Sequence, residues 1–175
     1  MRKLSNQELN RVDVDTFKQM QKHRIVLVLD NVRSLNNVGS AFRTADAFGI
    51  EAIYLCGITA TPPNKEIHKT ALGAEETVEW KYFENTMLAI ENLKLQNYKI
   101  ASIEQAENAT MLNDYHTGKI EPIALVFGNE VSGVEQQVID ESDMVIEIPQ
   151  WGTKHSLNVS VSIGVVLWQI INAQL

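Results

Sequence analysis

The residues best suited to chemistry fall into three short stretches. The first reads Asp30-Asn31-Val32-Arg33-Ser34-Leu35-Asn36-Asn37-Val38-Gly39-Ser40-Ala41-Phe42-Arg43. Asn37, Gly39 and Arg43 stand at or near a predicted helix start, where unpaired backbone amides attract anions. Arg43 adds a planar fork that suits a phosphate. The same spacing also fits an Asn cap, a small residue for close packing and a surface arginine. The second stretch is Gly128-Asn129-Glu130-Val131-Ser132-Gly133-Val134. It has neither the Lys-Ser/Thr of a triphosphate-binding loop nor the glycine spacing of a dinucleotide fingerprint. Gly128 allows close approach to the backbone, and Glu130 is placed to accept hydrogen bonds or to pair with Arg43. The third, Pro149-Gln150-Trp151-Gly152-Thr153-Lys154-His155-Ser156-Leu157-Asn158-Val159-Ser160, gathers hydroxyl, amide and backbone groups before a helix. His155 lacks the partners a catalyst or metal ligand needs, so it reads as a loop histidine, and no metal site is expected.

Each stretch follows an apolar run. Runs at 25–30, 52–56, 99–104, 123–127 and 144–148 read as buried strands. Between them lie helical patterns, such as Val38, Ala41, Phe42, Ala45 and Phe48 closed by Gly49, and 87–95 after Asn85-Thr86. A further helical region at the start is opened by a capping box of Ser5 and Glu8. Alternating strand and helix predicts an α/β protein with a largely parallel sheet flanked by helices. Open sheets of this kind bind ligands beyond the carboxyl ends of their strands, which is where the three stretches lie. The last segment, 157–173, is apolar on nearly every side over its second half. A helix of that kind is buried all round, by the core or by a second copy of the chain.

With 175 residues, 45% hydrophobic and 21% charged, the chain suits one globular domain and excludes disordered and collagen-like classes. Residues 1–24 are expected to form a helical extension and 25–175 a catalytic core. The apolar run 161–171 is broken by Gln169, while a membrane span needs about 20 apolar residues. The start MRKLSNQELN lacks the apolar centre of a signal peptide, so a cytoplasmic protein is expected. Cys56 is the single cysteine, which excludes an internal disulfide and suits a small buried hydrophobe. The net charge of −7 hides a polarity: residues 1–74 balance at +3 and residues 75–175 at −10. A polyanion should therefore approach the N-terminal half, with Arg11, Lys18, Lys22, Arg24 and Arg33 as candidate phosphate contacts.

Together, Asn37-x-Gly39-x-x-x-Arg43, Leu125-Val126-Phe127-Gly128-Asn129-Glu130, and Ile148-Pro149 through Ser156-Leu157-Asn158-Val159-Ser160 resemble the SpoU (TrmH-like) RNA ribose methyltransferases of the SPOUT class. The resemblance spans about residues 20–173, and 69–74 adds a weaker stretch. It implies a SPOUT α/β-knot whose C-terminal part threads a trefoil knot, a rare exception to unknotted topology. It also implies S-adenosylmethionine held in the knotted loops by the backbone at Gly128, Ile148 and Leu157, with Ile103 closing the pocket. Arg43 is then the central catalytic residue, supported by Asn37, Glu130, Ser156 and Asn158. The family's homodimers agree with the apolar helix at 157–173, and its substrates imply tRNA or rRNA. The chain has the extent of a bare catalytic domain.

The chemistry agrees with this resemblance. A sulfonium methyl is already activated, so attack by a ribose 2′-hydroxyl needs alignment, loss of one proton and stabilisation of a developing alkoxide. No metal is required. Arginine stays protonated and is a poor base, which favours Arg43 as a phosphate anchor and electrostatic stabiliser. Two other readings remain: methylation of a base, as in other SPOUT branches, and a non-catalytic RNA-binding or assembly factor with the same fold. Ser156-Leu157-Asn158 points to ribose, and the joint presence of Arg43, Asn37, Glu130 and Asn158 argues for turnover.

Overall fold

The computed structural model describes residues 1–9, 11–115 and 121–172. After a short 3-10 turn at Asn6–Leu9, the elements run α1 (Val14–Gln19), β1 (His23–Asp30), α2 (Leu35–Phe48), β2 (Ile50–Cys56), α3 (Lys65–Ala71), β3 (Glu79–Phe83) and α4 (Thr86–Leu95). The chain continues through β4 (Lys99–Ile103), β5 (Thr110–Met111), β6 (Ile123–Phe127), α5 (Gln136–Asp140), β7 (Met144–Glu147) and α6 (Val159–Asn172). All seven strands join one parallel sheet in the order β3-β2-β1-β6-β4-β7-β5. The expected α/β class and parallel sheet are what the structure has. β6 and β7 each enter the sheet between strands that precede them in sequence.

Strand alternation assigns the two faces. Ile25, Leu27 and Leu29 of β1 are buried with Val38, Ala41 and Phe42 of α2, Ile67 of α3, and Ile163, Val166 and Leu167 of α6. Val26 and Val28 point the other way, into a second cluster with Ala89, Ile90 and Leu93 of α4 and Val138 of α5. A strand covered on both faces is apolar throughout, which is why the central runs read so clearly.

Local chemistry sets the helix limits. Ser34 caps α2 by accepting from the Asn37 amide at 3.3 Å, and Gly49 ends it at φ 59°, a left-handed value that glycine adopts without strain. Asn85 caps α4 through the Leu88 amide at 3.0 Å. α6 starts at Val159 rather than 157 because Asn158 caps it, accepting from the Ser160 amide at 2.9 Å. Its expected last residue, Ala173, lies outside the described residues. β3 and β5, both unexpected from sequence, are sheet edges: β3 carries Glu79, Trp80 and Lys81, and β5 is two residues long.

Only one side of α6 is buried within a single chain. Ile163, Val166, Leu167 and Ile170 enter the core, whereas Val161, Val165 and Trp168 are 50%, 39% and 60% exposed. No helix among the described residues is long and apolar enough to cross a membrane. Cys56 is fully buried, and burial pushes its thiol up to about 12, so it stays a neutral hydrophobe.

Candidate active site

Glu130 joins the three stretches. Its Oε2 accepts from the Arg33 amide at 2.9 Å, and its Oε1 accepts from the Ser34 amide and from Asn37 Nδ2, both at 2.9 Å. The Asn37 Oδ1 in turn accepts from Asn158 Nδ2 at 3.1 Å. Asn158 Oδ1 accepts from the amide and the hydroxyl of Ser160 at 2.9 and 2.6 Å. Every carboxamide in this chain is thereby oriented, Asn158 by Ser160 and Asn37 by Glu130. Partial burial pushes the Glu130 carboxyl up, but the two amides and Asn37 outweigh it and hold it below its ordinary value. Glu130 is a fixed anion and a poor base.

The geometry changes the reason for two glycines. The amides just before α2, expected to attract an external anion, are bound internally by Glu130. Gly39 instead lies against α3, where a Cβ would overlap the Ile67 carbonyl and the Thr70 hydroxyl. Gly128 is needed because the chain turns back on itself: a Cβ there would overlap the backbone of Gly133 and Val134. That turn is held by paired backbone bonds between Asn129 and Gly133 at 2.9 Å, and Asn129 Nδ2 donates to the Asn31 carbonyl at 2.8 Å.

Beside this network opens a cavity of about 720 Å³ at the carboxyl ends of β4, β6 and β7. Ile103, Gly128, Ile148 and Leu157, the expected cofactor contacts, all line it. So do Glu130, Ser156 and Asn158. Among the described residues its acidic side chains are Glu104 and Glu130, His155 is its one imidazole, and no lysine or arginine lines it. Coulomb's law makes this a poor site for a phosphate and a favourable one for a cationic guest.

Arg43 is not brought to this cavity within one chain. Six residues beyond Asn37, it is displaced by about 9 Å along α2 and by about 240° around it. There it is exposed and lines a separate cleft of about 790 Å³ with Arg11, Asp46, Leu72 and Thr77. Of the other basic candidates, Lys18 and Arg33 are exposed. Lys22 holds its Nζ buried over the Phe17 ring without a hydrogen-bond partner, and burial lowers its pKa while Asp46 opposes this. Arg24 sits at the opposite end of β1 from the cavity, 4.0 Å from Glu51 and facing the Tyr98 ring.

Two acids that end strands act here without having been singled out. Asp30 is fully buried and accepts from Thr86 Oγ1 at 2.5 Å, Asn31 Nδ2 at 3.0 Å and the Glu135 amide at 3.0 Å. Burial pushes its carboxyl up, and the bond from Thr86 opposes that. It ties β1 to the starts of α4 and α5. Glu104 accepts from the Gln105 and Val134 amides at 2.8 and 3.0 Å. A polar residue closing an apolar strand is the signal that marks both.

A parallel α/β sheet with its polar network and cavity beyond the strand ends defines a protein that binds a small ligand at that edge. The chain belongs to the SpoU rRNA Methylase family, matched over residues 24–168. It is 35% identical to the 23S rRNA (guanosine-2′-O-)-methyltransferase RlmB of Pasteurella multocida over 96% of this chain and 68% of that one. A Staphylococcus haemolyticus protein named as a TrmH family tRNA/rRNA methyltransferase is 32% identical over 90% of this chain and 64% of that one. Among solved structures, an AdoMet-bound rRNA methyltransferase from Sinorhizobium meliloti superposes with a TM-score of 0.78 at 26% identity, covering 91% of this chain and 60% of that one. The A. aeolicus TrmH/SpoU tRNA modifying enzyme gives 0.78 at 25% identity, covering 92% of this chain and 79% of that one.

Proposed function

We propose that this protein is an S-adenosylmethionine-dependent RNA methyltransferase that transfers a methyl group to a ribose 2′-hydroxyl, with ribosomal RNA as its substrate. The observation that carries this is the Asn158–Asn37–Glu130 chain, which joins all three family stretches beside a cavity that no lysine or arginine lines among the described residues. The residues present fit the cofactor. Ile103, Ile148 and Leu157 offer apolar surface for a nucleobase, and the acidic character of the lining suits a cofactor that carries a positive sulfur. When bound, the cofactor supplies a methyl group already activated by positive sulfur.

The remaining work falls to the chain itself. The Glu130-anchored network fixes Asn158 and the loop that carries Ser156, which orients groups at the cavity mouth and costs no reorganisation during reaction. Because three donors hold Glu130 as an anion below its ordinary pKa, it is a poor base, and the 2′-hydroxyl proton leaves to solvent rather than to this carboxylate. Arg43 is assigned to a phosphate of the substrate and to the charge that develops on the 2′-oxygen. The ribosomal substrate named for the RlmB relative favours rRNA, tRNA being the alternative named for the TrmH relatives, and cytoplasmic action follows from the same reading. The family also implies the knotted C-terminal part, with which the late insertion of β6 and β7 is consistent.

A homodimer is part of this reading. Val165 and Trp168 of α6 line an apolar groove with Pro149 and Trp151, the latter 92% exposed. Ile148 lines both this groove and the cavity. A second copy seated on the groove lies against the loop that borders the cavity, which is how the Arg43 cleft of one copy could meet the cavity of the other. Sedimentation should give about twice 19.7 kDa. Trp168→Glu should shift it to one chain, and a wild-type monomer overturns the dimer.

The deciding experiment incubates the protein with rRNA and methyl-labelled cofactor, then digests the product with alkali. A 2′-O-methyl group removes the internal nucleophile, so the label should appear in one alkali-resistant dinucleotide. Label on a free base would establish base methylation, and no label on any RNA would leave a binding factor.

A further inference from the structure

We infer that Glu104 is the acceptor for the ribose diol of the adenosine-type cofactor and determines selectivity for a ribonucleoside; the inference rests on the cofactor reading above. Glu104 follows the last residue of β4 and lines the cavity next to Ile103. Both of its oxygens are already anchored, Oε1 by the Gln105 amide at 2.8 Å and Oε2 by the Val134 amide at 3.0 Å. The fit is close on the other side as well. A Cβ on Gly133 would displace Glu104 Oε2 from its place, and the φ of 70° at Gly133 itself favours glycine.

A carboxylate held in this way keeps a further lone pair on each oxygen. Among the described residues no lysine or arginine lines the cavity to neutralise them, and the other acid, Glu130, already accepts from Arg33, Ser34 and Asn37. Two acceptors at fixed spacing match two adjacent hydroxyl donors. The 2′,3′-diol is the only such pair in S-adenosylmethionine, whereas its ammonium is a single point charge. Ile103, immediately before Glu104, lets a base stack on apolar surface while its sugar meets the acid. The same negative charge would repel a nucleotide phosphorylated on its ribose.

Calorimetry on the whole protein tests this with S-adenosylhomocysteine, its 2′,3′-dideoxy analogue and 5′-methylthioadenosine, against wild type, Glu104→Ala and Glu104→Gln. In wild type, loss of the diol should weaken binding by about 10-fold or more, as for hydrogen bonds to a charged group. Glu104→Ala should weaken the ribose ligand by a similar factor and show no further loss with the dideoxy analogue. Glu104→Gln keeps the shape and one carbonyl acceptor, so it should fall between the two. A collapsed loop would weaken ribose and dideoxy ligands equally and leave the diol penalty intact, which overturns the inference. So does a loss in Glu104→Ala that disappears with methylthioadenosine, since the acid would then be holding the ammonium. If wild type binds none of the ligands, the cofactor reading itself fails. If wild type binds and Glu104→Ala binds equally well, only the inference fails.

Discussion

The two ends of α2 carry residues of one sequence motif and live under opposite conditions. At its start, Asn37 is buried and held between Glu130 and Asn158, and the preceding amides are taken by the same carboxylate. Six residues later, on another face, Arg43 is exposed at a cleft shared with Arg11. The difference follows from what each end must bind. A small cofactor is recognised by groups that are already immobile, because preorganised donors cost nothing to align. A flexible polyanion is met by cations that stay solvated until contact, where counterion release supplies the affinity. On the proposed reading the fixed end of α2 serves the cofactor cavity through Glu130 and Asn158, which line it while Asn37 does not, and Arg43 on the free side serves the RNA.

The largest test of that contrast is Arg43→Ala. Methyl transfer should fall on the order of 10² or more, as for removal of a charge-stabilising donor. Calorimetric affinity for S-adenosylhomocysteine should not change, because the cavity is lined without Arg43. Arg43→Lys should remain poor, since an ammonium cannot reproduce the planar fork. Normal turnover by Arg43→Ala would end the assignment, and a loss of cofactor affinity would erase the distinction between the two ends.

A smaller effect is expected at Arg11, which lines the same cleft. Arg11→Ala should weaken RNA binding several-fold and reduce the slope of log affinity against log salt by about 1, the signature of one lost phosphate contact. Arg24→Ala serves as the control. Arg24 lies at the amino ends of the strands beside Glu51 and Tyr98, so its loss should leave the slope unchanged. Equal slopes in all three proteins would place the RNA elsewhere.

The sequence made the central strands, the Gly49 and Asn85 limits of two helices, and the three strand-end stretches legible, because buried parallel strands and capped helices write themselves in local composition; the cap of α2 is Ser34, not the asparagine its spacing suggested. What it left open was which groups meet. Asn37, Glu130 and Asn158 were each recognisable from family stretches, yet their mutual bonds join residues 93 and 121 positions apart. Gly128 read as room for a ligand, whereas it accommodates the protein's own backbone, and Gly39 serves the close packing that its spacing also allowed. The separation of Arg43 from Asn37 was available in principle, since six helical residues turn the side chain to another face. Glu104 and Asp30 were hidden as strand ends, their roles depending on amides brought in from 30 and 105 positions away. Edge strand β3 escaped notice because one solvated side lets Glu79 and Lys81 interrupt the apolar run.

The smallest expected effect concerns how firmly the fixed end is held, and pH exposes it. Glu130 has its carboxyl below the ordinary value of 4.5 because, although burial opposes ionisation, the Arg33 and Ser34 amides and Asn37 favour the anion more. A group with a lowered folded value contributes stability that is fully present above the unfolded value and is lost as pH falls through the folded one. Asp30 acts in the opposite sense: burial raises its carboxyl above 3.8, so its share of stability declines as pH rises through that window. Comparing Glu130→Gln with wild type cancels the Asp30 contribution, which both proteins carry. The gap in unfolding free energy should be on the order of 1 kcal/mol at pH 7, since three modest hydrogen bonds are discounted by partial exposure. It should narrow once the pH drops below 4.5 and the wild-type carboxylate begins to take up its proton. Urea titrations at pH 7 and pH 3 measure both ends. A gap that stays constant or widens in acid would mean that the anion is not what holds the start of α2, and the contrast between its two ends would lose its physical basis.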